Sequence, residues 1–150
     1  PHVFKGYWNR PDATAEVFAA DGWFSTGDLG WRSADGYFTI AGRARELIIS
    51  GGYNVYPREI EEVLLGHPAV AEAAVLGLPD PDLGEQVVAA IVRRQTGTTP
   101  ESLEADLITR CRDQLAAYKK PRRVVLVDAL PRNALGKVQK HVLKEQLVGE

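Results

Sequence analysis

From residue 57 onward the apolar positions of the chain change period several times, and each change predicts an element. Pro57 suits the first position of a helix, with Ile60, Val63 and Leu64 at i, i+3 and i+4 on one face and Gly66 ending it. The stretches 70–78 and 86–93 are nearly continuous apolar runs, which predicts two core strands around a Pro-Asp-rich turn at 79–84. Thr99-Pro100 marks the next helix start. Its buried stripe is Leu103, Leu107, Ile108, Cys111 and Leu115, and Tyr118-Lys119-Lys120-Pro121 breaks it. A third strand is predicted at 124–127 and a final amphipathic helix at 138–147, with Lys140 on its surface. Helix, strand, strand, helix, strand, helix is the order of a small α+β domain, a mixed sheet covered by helices.

The first part of the chain patterns differently. Asp12 stands as an N-cap before a short helical pattern over 13–19, and Asp21-Gly22 punctuates it. Strands are predicted at 29–32 and 37–41 around the hairpin-type turn Ala34-Asp35-Gly36. Leu47-Ile48-Ile49 is a short apolar strand, and Gly51-Gly52-Tyr53-Asn54 the turn after it. Residues 1–42 hold few apolar strands of their own, so they read as the β-rich edge of a larger domain. The boundary falls at 43–45, with the α+β unit over 46–150.

Composition narrows the function classes. With 45% hydrophobic and 25% charged positions, the 150 residues are an ordinary globular composition, and a net charge of −2 gives no basic footprint for nucleic acid. No apolar run approaches the ~18 residues that cross a bilayer, so no membrane partner is expected. Cys111 is the single cysteine, which excludes an internal disulfide and fits a reducing, cytoplasmic location. The chain has no methionine and starts Pro1-His2, so it reads as a piece of a longer protein. It also lacks a Gly-x-x-x-x-Gly-Lys-Ser/Thr loop and a Gly-x-Gly-x-x-Gly run, so phosphate binding would be shared with residues outside it. His2, His67 and His141 have no metal-ligand spacing.

Several short stretches carry candidate chemistry. In Ser25-Thr26-Gly27-Asp28 a carboxylate in a tight turn suits a two-oxygen grip on vicinal hydroxyls, and equally an Asx-type turn. In Gly42-Arg43 a guanidinium fork suits phosphate or ribose oxygens, or a plain surface position. Ser50-Gly51-Gly52-Tyr53 is a turn where glycines permit positive φ and close approach of a ligand, or simply a hairpin. Lys137 follows Gly136 in Pro131-Arg132-Asn133-Ala134-Leu135-Gly136-Lys137. It is either a solvated lysine at a helix start or a cation with a task, since the helix dipole disfavours positive charge there. Glu59, Glu61 and Glu62 read as helix-surface charge, and Lys119, Lys120, Arg122 and Arg123 form a short basic patch.

In this order these motifs resemble the C-terminal end of the adenylate-forming enzymes: acyl-CoA synthetases, peptide-synthetase adenylation domains and luciferases. The resemblance implies that Asp28 binds the ribose of ATP and that Arg43 contacts the nucleotide. It makes Arg45 the hinge residue, where the family commonly has aspartate or lysine. It makes the Ser50-Gly51-Gly52-Tyr53 loop a wall of the channel for the pantetheine arm of coenzyme A. Lys137 becomes the lysine that stabilises charge during adenylation. ATP, coenzyme A and magnesium accompanying ATP are the implied cofactors. The implied partners are a small carboxylate substrate and a large N-terminal domain. In the family the small domain swings about the hinge to present two faces in turn.

The run from Pro131 to Lys140, with Val55-Tyr56-Pro57 and Tyr118-Lys119-Lys120-Pro121, is most similar to malonyl-CoA synthetases, which implies malonate or a substituted malonate as the acid. Two other functions stay open. One is an adenylation or luciferase-like enzyme with another acceptor. The other is a docking substrate for a protein lysine acetyltransferase, whose action on Lys137 would remove the charge.

Overall fold

The computed structural model describes residues 2–94 and 99–148. The chain divides into two compact units, Pro1–Arg45 and Glu46–Glu150.

In the first unit, helix α1 (Pro11–Val17) precedes an antiparallel pair, β1 (Asp28–Arg32) and β2 (Phe38–Arg43). Asp12 does not cap α1: Arg10 holds the cap position, Pro11 opens the helix, and Asp12 turns back to pair with Arg10. That hydrogen bond from Arg10 lowers the Asp12 pKa. Gly30 sits at a register shift in β1, where an added Cβ would stand 2.4 Å from the Thr39 carbonyl oxygen, so the strands can approach only over glycine. Phe4, Phe18 and Phe24 meet edge-on or tilted. Trp8, Trp23, Tyr37 and Phe38 are exposed, and every buried apolar residue described lies from Ile48 onward.

The second unit is built on a five-stranded sheet. Strands β3 (Ile48–Ser50), β4 (Tyr53–Val55), β5 (Val70–Asp80) and β6 (Gly84–Arg93) run in the order β4-β3-β6-β5, and β7 (Arg123–Leu126) lies parallel to β6. A strand at Tyr53–Val55 replaces the end of the expected turn, because pairing with β3 holds three residues whose own pattern is weak. β5 and β6 also run longer than their apolar cores, the pairing continuing to Asp80↔Gly84.

Helices cover the sheet as expected, and they do so on both faces. On one face, Ile60 and Leu64 of α2 (Pro57–Leu65) and Leu103, Leu107 and Cys111 of α3 (Pro100–Gln114) pack on Val75, Val87, Ala89 and Ile91. On the other, Leu143 and Leu147 of α4 (Lys140–Val148) pack on Ala74, Leu76, Val88 and Ala90. Successive strand residues therefore alternate between two cores, which is why β5 and β6 look apolar throughout. α3 starts as expected, with the Thr99 side chain accepting from the Ser102 amide, and it carries the chain from β6 to β7. No described helix is long and apolar enough to cross a membrane.

Candidate functional site

In the first unit, Asp28 and Arg43 are cross-strand partners in the β1–β2 register. The Arg43 guanidinium lies 3.0 Å from Asp28 Oδ1 and donates to the Thr26 carbonyl at 2.8 Å. The Thr26 hydroxyl accepts the Asp28 amide at 3.1 Å, and Gly27 takes a φ of 72°. The turn therefore aims the carboxylate, and Arg43 holds one of its oxygens. Asp28 Oδ2 has no partner among the described residues, so a polar ligand can still use it. Arg45 is exposed in a short 3-10 turn, Ala44–Glu46.

In the second unit, Gly51 and Gly52 form a two-residue turn between β3 and β4 with φ of 57° and 81°. Positive φ at both central residues is what the tightest hairpin turn requires, and only glycine takes it at no steric cost. The Gly51 amide donates to the Leu83 carbonyl at 2.9 Å, tying this turn to the one between β5 and β6. Tyr53 stacks on Tyr118, with centroids 4.6 Å apart and planes at 20°.

A cleft of about 670 Å³ opens there, lined by Ser50, Gly51, Tyr53, Tyr118, Lys120 and Arg122 with Val87 and Pro121 among the apolar residues. Its two cations have no side-chain partner among the described residues, and no acidic residue lines it. Lys119, next along the chain, is not part of a free basic patch. Its ammonium lies 2.7 Å from both Glu59 oxygens, so Glu59 is an inter-element tie and not surface charge. A second cleft of about 760 Å³, by Arg93, Arg94 and Asp128, holds none of the residues singled out from the sequence.

Lys137 lies in a braced turn and not at a helix start. Arg132 and Val138 form an isolated antiparallel bridge, the Gln139 amide donates to the Pro131 carbonyl, and α4 begins only at Lys140. The dipole argument for Lys137 therefore does not apply. Its ammonium is exposed and has no partner among the described residues.

Lys140, expected on the surface, is instead only 20% exposed, 2.7 Å from Glu61 and 2.9 Å from Glu46. Glu61 is also not free surface charge, since the same oxygen accepts the Val75 amide at 2.8 Å. These partners stand far apart in the chain, and only the oppositely charged residue types hinted at them.

The candidate residues thus form three groups: Asp28 with Arg43, Ser50 to Tyr53 around the cleft, and Lys137. Lys137 and the glycine turn stand at opposite ends of β5. The Lys137 turn is held at Glu72, and the glycine turn at Leu83 beside the far end of the strand. From Glu72 to Asp80, at ~3.4 Å per residue, that is roughly 27 Å. Among the described residues no three His, Cys, Asp or Glu side chains gather to hold a metal ion.

A sequence profile of the AMP-binding enzyme C-terminal domain matches residues 59–137. The chain is 50% identical to a sulfoacetate–CoA ligase of Cupriavidus necator, over 92% of this chain and 26% of that protein. It is 45% identical to a malonate–CoA ligase of Arabidopsis thaliana, over 98% of this chain and 26% of that protein. Among solved structures, ATP-bound MatB from Rhodopseudomonas palustris superposes with a TM-score of 0.84 at 48% identity, covering 96% of this chain and 28% of that one. The chain spans about a quarter of the length of the curated relatives it matches. It belongs to the AMP-binding enzyme C-terminal domain family.

Proposed function

We propose that the chain is the C-terminal part of an ATP-dependent carboxylate–CoA ligase. The overall reaction is acid, ATP and coenzyme A to acyl-CoA, AMP and pyrophosphate, through an acyl-adenylate. The observation that carries this is the separation of two unlike features on one small sheet: an unpaired ammonium at one end and a glycine-lined cleft at the other.

In this reading Asp28 accepts from the ribose hydroxyls of ATP while Arg43 fixes its orientation. Lys137 stabilises the negative charge that grows as pyrophosphate leaves, without moving a proton. The Gly51-Gly52 turn admits the pantetheine arm at close backbone approach, with Ser50 and Tyr53 beside it. A single rigid sheet cannot bring both ends to one point at once. Rotation about Arg45, between a large-domain edge at 1–42 and the unit at 46–150, would present each end in turn. Magnesium would enter with the phosphates of ATP, because the described residues offer no donor set for it. The enzyme would work in the cytoplasm.

For the acid we favour malonate or a substituted malonate, supported by the likeness of the Pro131–Lys140 run and by the 45% identity to the malonate–CoA ligase of Arabidopsis thaliana. The sulfoacetate ligase, at 50% identity, keeps other small acids in contention. An exposed Lys137 without a partner is also the lysine at which an acetyltransferase would silence adenylation.

The deciding experiment is AMP release by the full-length protein over a panel of carboxylates, with and without coenzyme A. Turnover that needs coenzyme A and prefers malonate is expected. A different preferred acid removes only the malonate assignment, and turnover indifferent to coenzyme A removes the thioester half. In the same protein Lys137→Ala should lower adenylation by about 10²–10³-fold and spare thioester formation from supplied acyl-adenylate.

A further inference from the structure

The geometry points to Arg132 and Glu72 as positioning residues for Lys137. Three cations stand within nine positions of the chain, and two are already occupied: Arg132 pairs with Glu72, and Lys140 with Glu61 and Glu46. Lys137 between them has no ammonium partner among the described residues, and its backbone is bonded through both its amide and its carbonyl. The Lys137 amide donates to Asn133 Oδ1 at 2.9 Å, and its carbonyl accepts the Asn133 amide at 2.9 Å. The carbonyl just before it, that of Gly136, accepts from Arg132 at 2.6 Å. Gly136 itself takes a φ of 79° with open space where a Cβ would be.

Arg132 is the member that ties this turn to the body of the domain. One guanidinium nitrogen holds the Gly136 carbonyl and the other holds the Glu72 carboxylate on β5. Asn133 acts only within the turn, so without the Arg132 fork the loop keeps its shape but loses its polar tie to β5, with only Val138 beside it still packed on the core. The bridge needs two nitrogens in a fixed fork, which arginine supplies and lysine does not. A long cation on an immobilised backbone then reaches a distant anion with only its own side chain left to order.

This rests on the proposed role of Lys137 and is tested in the full-length protein by separating the two half-reactions. Arg132→Lys and the milder Glu72→Gln are compared with Lys137→Ala, with melting temperature as a control for folding. Both single variants should lose about 10- to 100-fold in the kcat of adenylation, the scale of a ~1 Å misplacement. Thioester formation from supplied acyl-adenylate should stay within about twofold, the adenylation loss being confined to the step Lys137 serves. In the Lys137→Ala background, Arg132→Lys should cost nothing further, because it acts only through Lys137. Full adenylation by both single variants, equal losses in the two halves, or additive loss in the double variant would overturn the assignment. Full adenylation by Lys137→Ala would remove the role of Lys137 itself, and this inference with it.

Discussion

Replacing Lys140 by methionine removes the ammonium shared by Glu61 and Glu46 while keeping much of the side-chain volume. At 2.7 Å and an effective dielectric of about 20, one such pair is worth roughly 6 kcal/mol before desolvation. Most of that is cancelled by taking the ions out of water. The outcome lies between the ~0.2–1 kcal/mol of exposed pairs and the ~3–5 kcal/mol of breaking a buried one. With Lys140 and Glu61 each about one-fifth exposed and Glu46 far more open, we expect Lys140→Met to cost about 2 kcal/mol.

Glu61→Gln keeps an acceptor for the Val75 amide and removes only the charge. The cycle of Lys140→Met with Glu61→Gln should therefore return a coupling of about 1 kcal/mol. Glu61→Ala should cost about 1 kcal/mol more than Glu61→Gln, for the lost acceptor. Urea unfolding followed by far-ultraviolet circular dichroism is the assay. Tryptophan fluorescence would report the wrong unit, since Trp8, Trp23 and Trp31 all precede residue 46. A coupling near zero, or a Lys140→Met chain as stable as the parent, would refute the assignment of this contact as a structural tie.

Other consequences are equally direct. Gly52→Ala should destabilise by about 1 kcal/mol through its φ of 81° alone, because its Cβ meets open space. Gly51→Ala should cost more in the same urea titration, since its Cβ would also press on Leu83 at 3.3 Å. Burial pushes the Cys111 thiol up to about 11 from 9.0, against the opposing charge of Arg110. Between those values the unfolded chain has lost the proton and the native chain still holds it. This contribution to stability is therefore full below pH 9 and falls as pH rises toward 11, a slope that Cys111→Ala should flatten. Gly30→Ala should break the β1–β2 pairing, seen as lost amide protection in that hairpin by hydrogen exchange.

The parts of the fold that were legible in the sequence are those decided by neighbours. The α3 stripe, its Thr99 cap, the apolar runs of β5 and β6 and the Gly51-Gly52 turn all announce themselves within a few residues. What escaped depends on partners far along the chain. Lys140 and Glu61 are separated by 79 positions, and Arg132 and Glu72 by 60, so a local pattern shows each only as a charge. The start of α4 was misplaced for a related reason. Val138 and Gln139 fit a helix by period, but they are taken up by a bridge to Arg132 and a bond to Pro131. Of the candidate site, the residue types and their order could be read. That Arg43 holds Asp28, and that Tyr118 stacks on Tyr53, required the register and the stacking to be seen.

β5 is the outermost strand on its side of the sheet, and such an edge offers unpaired amides to any passing chain. Here the Glu61 carboxylate occupies the Val75 amide, and Lys140, reaching over from the helix on the opposite face, keeps that carboxylate in place. A strand from a second molecule could pair there only by evicting Glu61 and leaving Lys140 with Glu46 alone. The same contact that fastens two helices across the sheet therefore also works as a guard against edge-to-edge aggregation.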